Sequence, residues 1–258
     1  MNNTIEIKNL HKSYGLTKVL HGIDLHISTG QVIGYIGPNG AGKSTTVRIL
    51  AGLDGSFSGD VYVNGISIKE DPIAVKKIIG YIPEVAELYE VLTPMEFLTL
   101  MGKLHGLSES VTQQRAIDML GHFGLTDHLN NRMDTFSKGM RQKVLITSGL
   151  LHNPQIIFMD EPLTGLDANA VMMVKEIISK LASEGKTIFY CSHMMDVVEK
   201  VSDRIILINQ GQIIADGSFA ELKRQHNDSL ENVFANLTGQ EGHSGRADSY
   251  LKSLNQDG

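Results

Sequence analysis

Gly37, Pro38, Asn39, Gly40, Ala41, Gly42, Lys43 and Ser44 stand in the spacing of a phosphate-binding loop, with Thr45 directly behind them. Residues 31–36 before the loop are almost continuously apolar and residues 44–51 have helical character, so the loop joins a buried strand to a helix. Glycines at these positions let backbone N–H groups turn inward around phosphate oxygens, where the helix N-terminus adds partial positive charge. Lys43 is placed to reach the β and γ phosphates, and the Ser44 hydroxyl to ligate Mg²⁺. A second constellation, Asp160 and Glu161, ends the apolar run Ile156, Ile157, Phe158, Met159 at the edge where parallel sheets place their ligands. Asp160 would hold Mg²⁺ through its shell, and Glu161 would orient or deprotonate a water attacking the γ phosphate. Alone, two acidic residues after a strand describe an ordinary solvated turn; paired with the loop they describe phosphoryl chemistry. Residues 136–142 precede that strand by about the length of one helix and put Ser137 at an N-cap position, where exposed N–H groups could receive a phosphate. These residues specify a phosphate-loop nucleotide hydrolase and leave kinases, GTPases and ATPases open.

The elements that must position these groups are legible in the periodicity. With 258 residues the chain is long enough for one large domain or two small ones, and 41% hydrophobic against 20% charged residues excludes disorder over most of it. The net charge of −6 argues against a nucleic-acid binder that relies on a broad positive surface. No apolar run reaches the length of a membrane span, and residues 1–17 are unlike a secretory signal, so the chain is expected in the cytosol. Cys191 lacks a cysteine or metal-site partner and reads as a small core residue. Strands are expected at residues 5–10, 20–27, 31–36, 59–63 and 78–82, and again at 156–159, 187–191 and 205–208. Between the two sets, residues 94–151 follow a helical period, with Phe97, Met101 and Leu104 on one face and a capping box of Ser110 and Gln113 opening a second helix. A further helix carries the stripe Val171, Val174, Ile178, Leu181; Ser218 and Glu221 cap another, and residues 229–237 form a last one. Strands alternating with helices mean crossover units and a mostly parallel sheet, and order is expected to fade from residue 239.

In the order and spacing of these motifs the sequence resembles the ATP-binding subunits of ABC transporters, over residues 5–237. The resemblance implies an α/β fold: a phosphate-loop ATPase core with a mostly parallel sheet, an antiparallel β subdomain and an inserted helical subdomain. On that pattern the core takes residues 1–85 and 152–225, the helical insertion 86–151, a short helix 226–237 and a flexible tail 238–258. It further implies that two copies, as a homodimer or heterodimer, sandwich two ATP molecules head to tail, with Mg²⁺ as the metal. Tyr14 matches the aromatic that stacks on adenine, and Ser137 and Gly139 match the signature loop that meets the γ phosphate on the opposite protomer. Asp167 matches the loop between the two sites, and His193 the switch histidine at the γ phosphate. Glu84 stands where a Gln commonly helps ligate Mg²⁺ and water, and the signature reads Phe136, Ser137, Lys138, Gly139, Met140 where Leu-Ser-Gly-Gly-Gln is usual. Both departures, and the stretch 229–239, resemble the branch that works with ABC-2 type membrane partners. The implied function is ATP hydrolysis that powers a separate membrane subunit for export, with the chain peripheral on the inner face of the cell membrane and no nucleic-acid partner. The rivals are a soluble ABC-type ATPase acting on a cytosolic assembly and a monomeric phosphate-loop kinase or GTPase.

Overall fold

The computed structural model describes residues 3–85, 88–226, 234, 235 and 237. A long hairpin, β1 (Asn3–Tyr14) and β2 (Thr17–Ser28), leads into β3 (Val32–Ile36), α1 (Lys43–Leu50), β4 (Ser58–Val63), β5 (Ile66–Ser67), α2 (Pro72–Ile78) and β6 (Ile79–Ile82). Helices α3 (Pro94–Leu104), α4 (Glu109–His122) and α5 (Lys138–Leu150) follow, with 3-10 turns at Thr126–His128 and Met133–Thr135. The chain then alternates through β7 (Ile156–Asp160), α6 (Ala168–Ser183), β8 (Thr187–Cys191), α7 (Met195–Val201), β9 (Arg204–Asn209), β10 (Gln212–Gly217) and α8 (Phe219–His226).

The strands form two sheets. One is four-stranded and antiparallel where it is paired, in the order β2-β1-β4-β5. The other has six strands in the order β10-β9-β3-β8-β7-β6, parallel except for β10 on its edge. In the large sheet every residue of β3, β7 and β8 is buried, as expected of strands covered on both faces. Because side chains alternate across a strand, β7 sends Ile157 and Met159 into the core shared with the helices, and Ile156 and Phe158 into the core shared with the antiparallel sheet and α1. The carboxyl ends of β3, β7 and β8 therefore lie side by side, at Ile36, Asp160 and Cys191.

The structure departs from the sequence periodicity at several points. Residue 78 closes α2, which Asp71 caps by accepting from the Ala74 N–H, with Pro72 at the first turn, and the strand starts at Ile79. The cap of α4 is Ser108 rather than Ser110, and Gln113 donates to Glu109 within the helix. The reciprocal capping box belongs instead to α3, between Thr93 and Glu96. Leu104 is exposed although Phe97 is buried. The edge strand β10 and the short helix α7 were not expected. Ser218 and Glu221 do cap α8, and Cys191 is fully buried. Of the expected helix at 229–237, residues 234, 235 and 237 are helical and the others lie outside the described residues, as do residues 239–258.

Candidate active site

The loop between β3 and α1 walls a cavity of about 870 Å³ with residues 37–40 and 42–45. Gly42, the N-cap of α1, has φ 108°, a left-handed conformation that strains any side chain, and a Cβ there would lie 2.6 Å from Leu20 Cδ2. Lys43 is buried, and its ammonium donates to the carbonyl oxygens of Gly37 at 2.7 Å and Pro38 at 3.2 Å, so it spans the loop. Thr46 donates to the Gly42 carbonyl at 2.9 Å and fixes the first turn of α1. Ala41 is the exception among the expected loop residues: its side chain is buried, and its N–H is already spent on the Pro38 carbonyl at 3.1 Å. It supports the loop from behind rather than facing the cavity.

Opposite the loop, the chain leaves β7 through Glu161, a non-glycine residue with φ 47°. Such a conformation costs roughly 1–3 kcal/mol and is typical of functional sites. Its N–H donates to the Cys191 carbonyl at 3.0 Å, tying it to the end of β8. The carboxylate is nearly buried and held at both oxygens: Ser192 Oγ donates to Oε2 at 3.2 Å, and His193 Nδ1 stands 2.9 Å from Oε1. A carboxylate fixed in this way can receive a proton from a water at the cavity's edge. Glu84 and His193, both exposed, line the same cavity.

Asp160 decides whether these groups suit a divalent cation. Its Oδ1 is buried and has no hydrogen-bond partner in the structure. Its carboxyl is raised above the usual carboxylate range, first by burial and then by the negative charges of Glu84 and Glu161, against the pull of the Ser44 hydroxyl and Lys43. An unsatisfied hard oxygen beside a hydroxyl and further carboxylates fits Mg²⁺, which binds through one or two carboxylates and substrate phosphates rather than a full protein cage. No cluster of three or more His, Cys, Asp or Glu that could hold a metal exists among the described residues.

Ser137, Gly139 and Asp167 are not among the residues that wall the cavity. Ser137 is exposed and caps α5, accepting from the Met140 N–H at 3.2 Å. A Cβ on Gly139 would lie 2.7 Å from the Gly165 carbonyl, so the start of α5 packs directly on the loop that carries Asp167. Asp167 caps α6 through the Ala170 N–H and pairs with Lys143 at 3.0 Å, while Gln142 donates to the Pro162 carbonyl at 3.0 Å. Tyr14, the last residue of β1, also lies outside the cavity wall, with its hydroxyl near that of Thr45, which lines it. The sequence reading missed Ser192, Gln142 and Lys143. Each acts through a partner at least 20 residues away in the chain, and no local pattern marks such a contact.

A family described as ABC transporter matches residues 20–164, which include the loop, Ser137, Gly139, Asp160 and Glu161 and stop before Asp167 and His193. The linearmycin resistance ATP-binding protein of Bacillus subtilis (strain 168) is 37% identical over 218 residues, 84% of this chain and 70% of that protein. A solved ATP-binding subunit of an ABC transporter superposes with a TM-score of 0.85 at 32% identity, covering 91% of this chain and 99% of the other. A dimeric ATP-binding cassette, solved in a post-hydrolysis state with ADP and phosphate, superposes with a TM-score of 0.78 at 26% identity, covering 83% of this chain and 98% of that one.

Proposed function

The chain belongs to the family of ABC transporter ATP-binding subunits, with its ATPase cassette fold, and on that premise we propose how its own residues bind ATP, hydrolyse it and pass on the work. The observation that carries the reading is the clamp on Glu161 by Ser192 and His193, facing the phosphate loop across one cavity. Residues 37–40 and 42–45 cradle the triphosphate, Lys43 transfers its hydrogen bonds from the loop carbonyls to phosphate oxygens, and Tyr14 stacks on adenine. Ser44, Asp160 and Glu84 would hold Mg²⁺, which withdraws charge from the phosphate oxygens when bound. Glu161 then takes a proton from the attacking water, while His193 faces the γ phosphate and keeps the carboxylate aimed.

Ser137 and Gly139 lie outside the wall of their own chain's cavity, which supports a role toward the ATP of a second cassette, with Asp167 between the two sites. The dimeric neighbour supports the same reading. Residues 1–85 and 152–225 make the core and 86–151 the helical insertion, through which closure moves a separate membrane subunit. The resistance protein among the relatives supports export as the direction. No helix among the described residues is long and apolar enough to cross a membrane; in this reading a membrane subunit holds the chain at the inner face of the membrane.

Glu161→Gln tests this. The amide keeps the shape and cannot accept the proton, so Mg-ATP binding should persist while hydrolysis falls by about 10²- to 10⁴-fold. The ATP-bound dimer should accumulate in size-exclusion chromatography. Hydrolysis at the parent rate would remove Glu161 from the mechanism.

A further inference from the structure

Tyr14 ends β1 immediately before the turn at Gly15 and is 47% exposed, so nothing in its position on the strand fixes the plane of its ring. The structure nevertheless fixes it from two sides. The Tyr14 hydroxyl donates to Asp54 Oδ2 at 2.8 Å, and the Lys12 ammonium sits 4.5 Å from the ring centroid. Lys12 and Tyr14 are two residues apart on β1, and the ammonium reaches the ring across a register irregularity between Lys12 and Ser13. Lys12 is 4% exposed, and its ammonium closes the arrangement by donating to Asp54 Oδ1 at 2.7 Å and to the Ser56 carbonyl at 2.6 Å. The Ser56 N–H adds a bond to Asp54 Oδ1 at 3.1 Å. Asp54 itself lies just beyond the C-terminus of α1, with its N–H on the Arg48 carbonyl at 3.3 Å. The helix whose first turn belongs to the phosphate loop thus carries at its other end the carboxylate that holds the aromatic ring.

We propose that Lys12 and Asp54 are positioning residues for nucleotide recognition: they lock the Tyr14 ring at a fixed place relative to α1 and occupy one face of it, leaving the other for the base. This rests on the reading of Tyr14 as the adenine platform. An ammonium buried under one face excludes a base from that side, and a ring that cannot turn loses no rotamer freedom when a base stacks on it. The ring and the phosphate loop are then two ends of one gauge that measures base plus triphosphate together. A loose ring would still stack, at the cost of ordering itself on each binding event.

The prediction is a separation between two ligands. Inorganic tripolyphosphate with Mg²⁺ engages the phosphate loop and has no base, whereas Mg-ATP engages both. Calorimetric titration of the full chain should show Tyr14→Phe and Lys12→Met weakening ATP by about three- to tenfold, the range of one lost hydrogen bond or ring contact. Tripolyphosphate affinity should stay at the parent value in both variants. Lys12 and Asp54 are a nearly buried pair, so Lys12→Met alone leaves a charge without its partner; the double variant Lys12→Met with Asp54→Asn removes both and should show the same separation. Equal loss for both ligands in Tyr14→Phe and in the double variant would make the network merely structural and overturn the proposal. Tyr14→Ala separates this from the platform reading. If it leaves the ATP-to-tripolyphosphate ratio unchanged, Tyr14 is not the platform and both ideas fall. If it lowers the ratio while Tyr14→Phe and the double variant do not, the platform stands and the positioning role is refuted.

Discussion

Asp160 is buried beside two other carboxylates, and its ionised form is the costly one. Its carboxyl is raised in the fold above the ordinary 3.8, by burial first. The sign follows: the unfolded chain gives up this proton more readily, so the fold is penalised as pH rises through the raised value and keeps the penalty at neutrality. A bound divalent cation offsets that penalty, and an amide avoids it. Asp160→Asn should therefore melt higher than the parent in EDTA at pH 7, by roughly 2 °C or more if about 1 kcal/mol is relieved, and should lose the additional stabilisation that Mg-ATP gives the parent. Differential scanning calorimetry with and without Mg-ATP measures both, and a lower melting temperature in EDTA would contradict the assignment. Asp160 could be singled out from the sequence because it ends an apolar strand; Ser192, Lys12 and Asp54 could not. Lys12 and Asp54 meet across 42 residues and Ser192 and Glu161 across 31, so only the folded sheet brings them together. A contiguous motif says which residues form a loop and not which of their N–H groups are bonded within it, as that of Ala41 is to the Pro38 carbonyl.

Among the elements, α5 carries Ser137 at its exposed start and is bound to the loop 162–167 by Gln142, Lys143 and the close approach of Gly139. Ser137 is exposed and outside the wall of this chain's own cavity, so on the proposed pairing a bulky charged side chain there would stand against the second cassette. Ser137→Arg should leave ATP binding by the monomer intact and abolish the ATP-dependent dimer in sedimentation, at a cost of about 1 kcal/mol for the lost cap. A normal dimer would count against pairing through this loop. At the far end of α3, His105 stacks on His152 with ring centroids 3.6 Å apart, and His152 bonds the Ile79 carbonyl at 2.9 Å. The helical stretch is thereby joined to the start of β6. Burial, then the neighbouring His105, depresses His152 to about 4 from 6.5, and Arg115 and Lys186 push the same way. For a base held neutral in the fold, stability is complete above pH 6.5 and declines as pH falls toward 4, where the unfolded chain binds the extra proton. With the ring only half-buried, the expected loss is on the order of 1–2 kcal/mol. His152→Gln should flatten that part of the urea-denaturation profile, and an unchanged acid slope would refute it. Strong apolar periods announced the central strands, while β10 escaped notice because an edge strand has no continuous apolar run, and its burial merely alternates. Two serines, Ser108 and Ser110, stand at the start of α4, and only geometry selects Ser108 as its cap.

At the scale of the whole molecule the question is where ATP-driven closure leaves the chain. Glu84 lines the cavity and stands at the start of the stretch leading to α3, in which Val85, Tyr89 and Val91 are 62%, 65% and 64% exposed. Leu88 differs from them, being 9% exposed and part of the helical core, and Leu92 packs against that core as well. Leu88 and Leu92 anchor this stretch to the core, while Val85, Tyr89 and Val91 face outward. Three large apolar residues within seven positions, beside the exposed Glu84, are left to solvent here, and this stretch is where a membrane subunit is proposed to dock. Because Glu84 borders the nucleotide cavity, a change at the γ phosphate is one short stretch of chain away from that surface. Substituting Leu88 would confuse the test by opening the core, so Tyr89→Asp is the informative variant. It adds a charge to an already exposed position and should leave the melting temperature and Mg-ATP binding within error of the parent. Co-purification of the membrane subunit from detergent extract should be lost, together with the stimulation of ATP hydrolysis by that partner. Val91→Asp should do the same if the two residues share one contact. If Tyr89→Asp retains the membrane subunit at parent stoichiometry, the docking surface lies elsewhere on the helical stretch and these exposed apolar residues have another use.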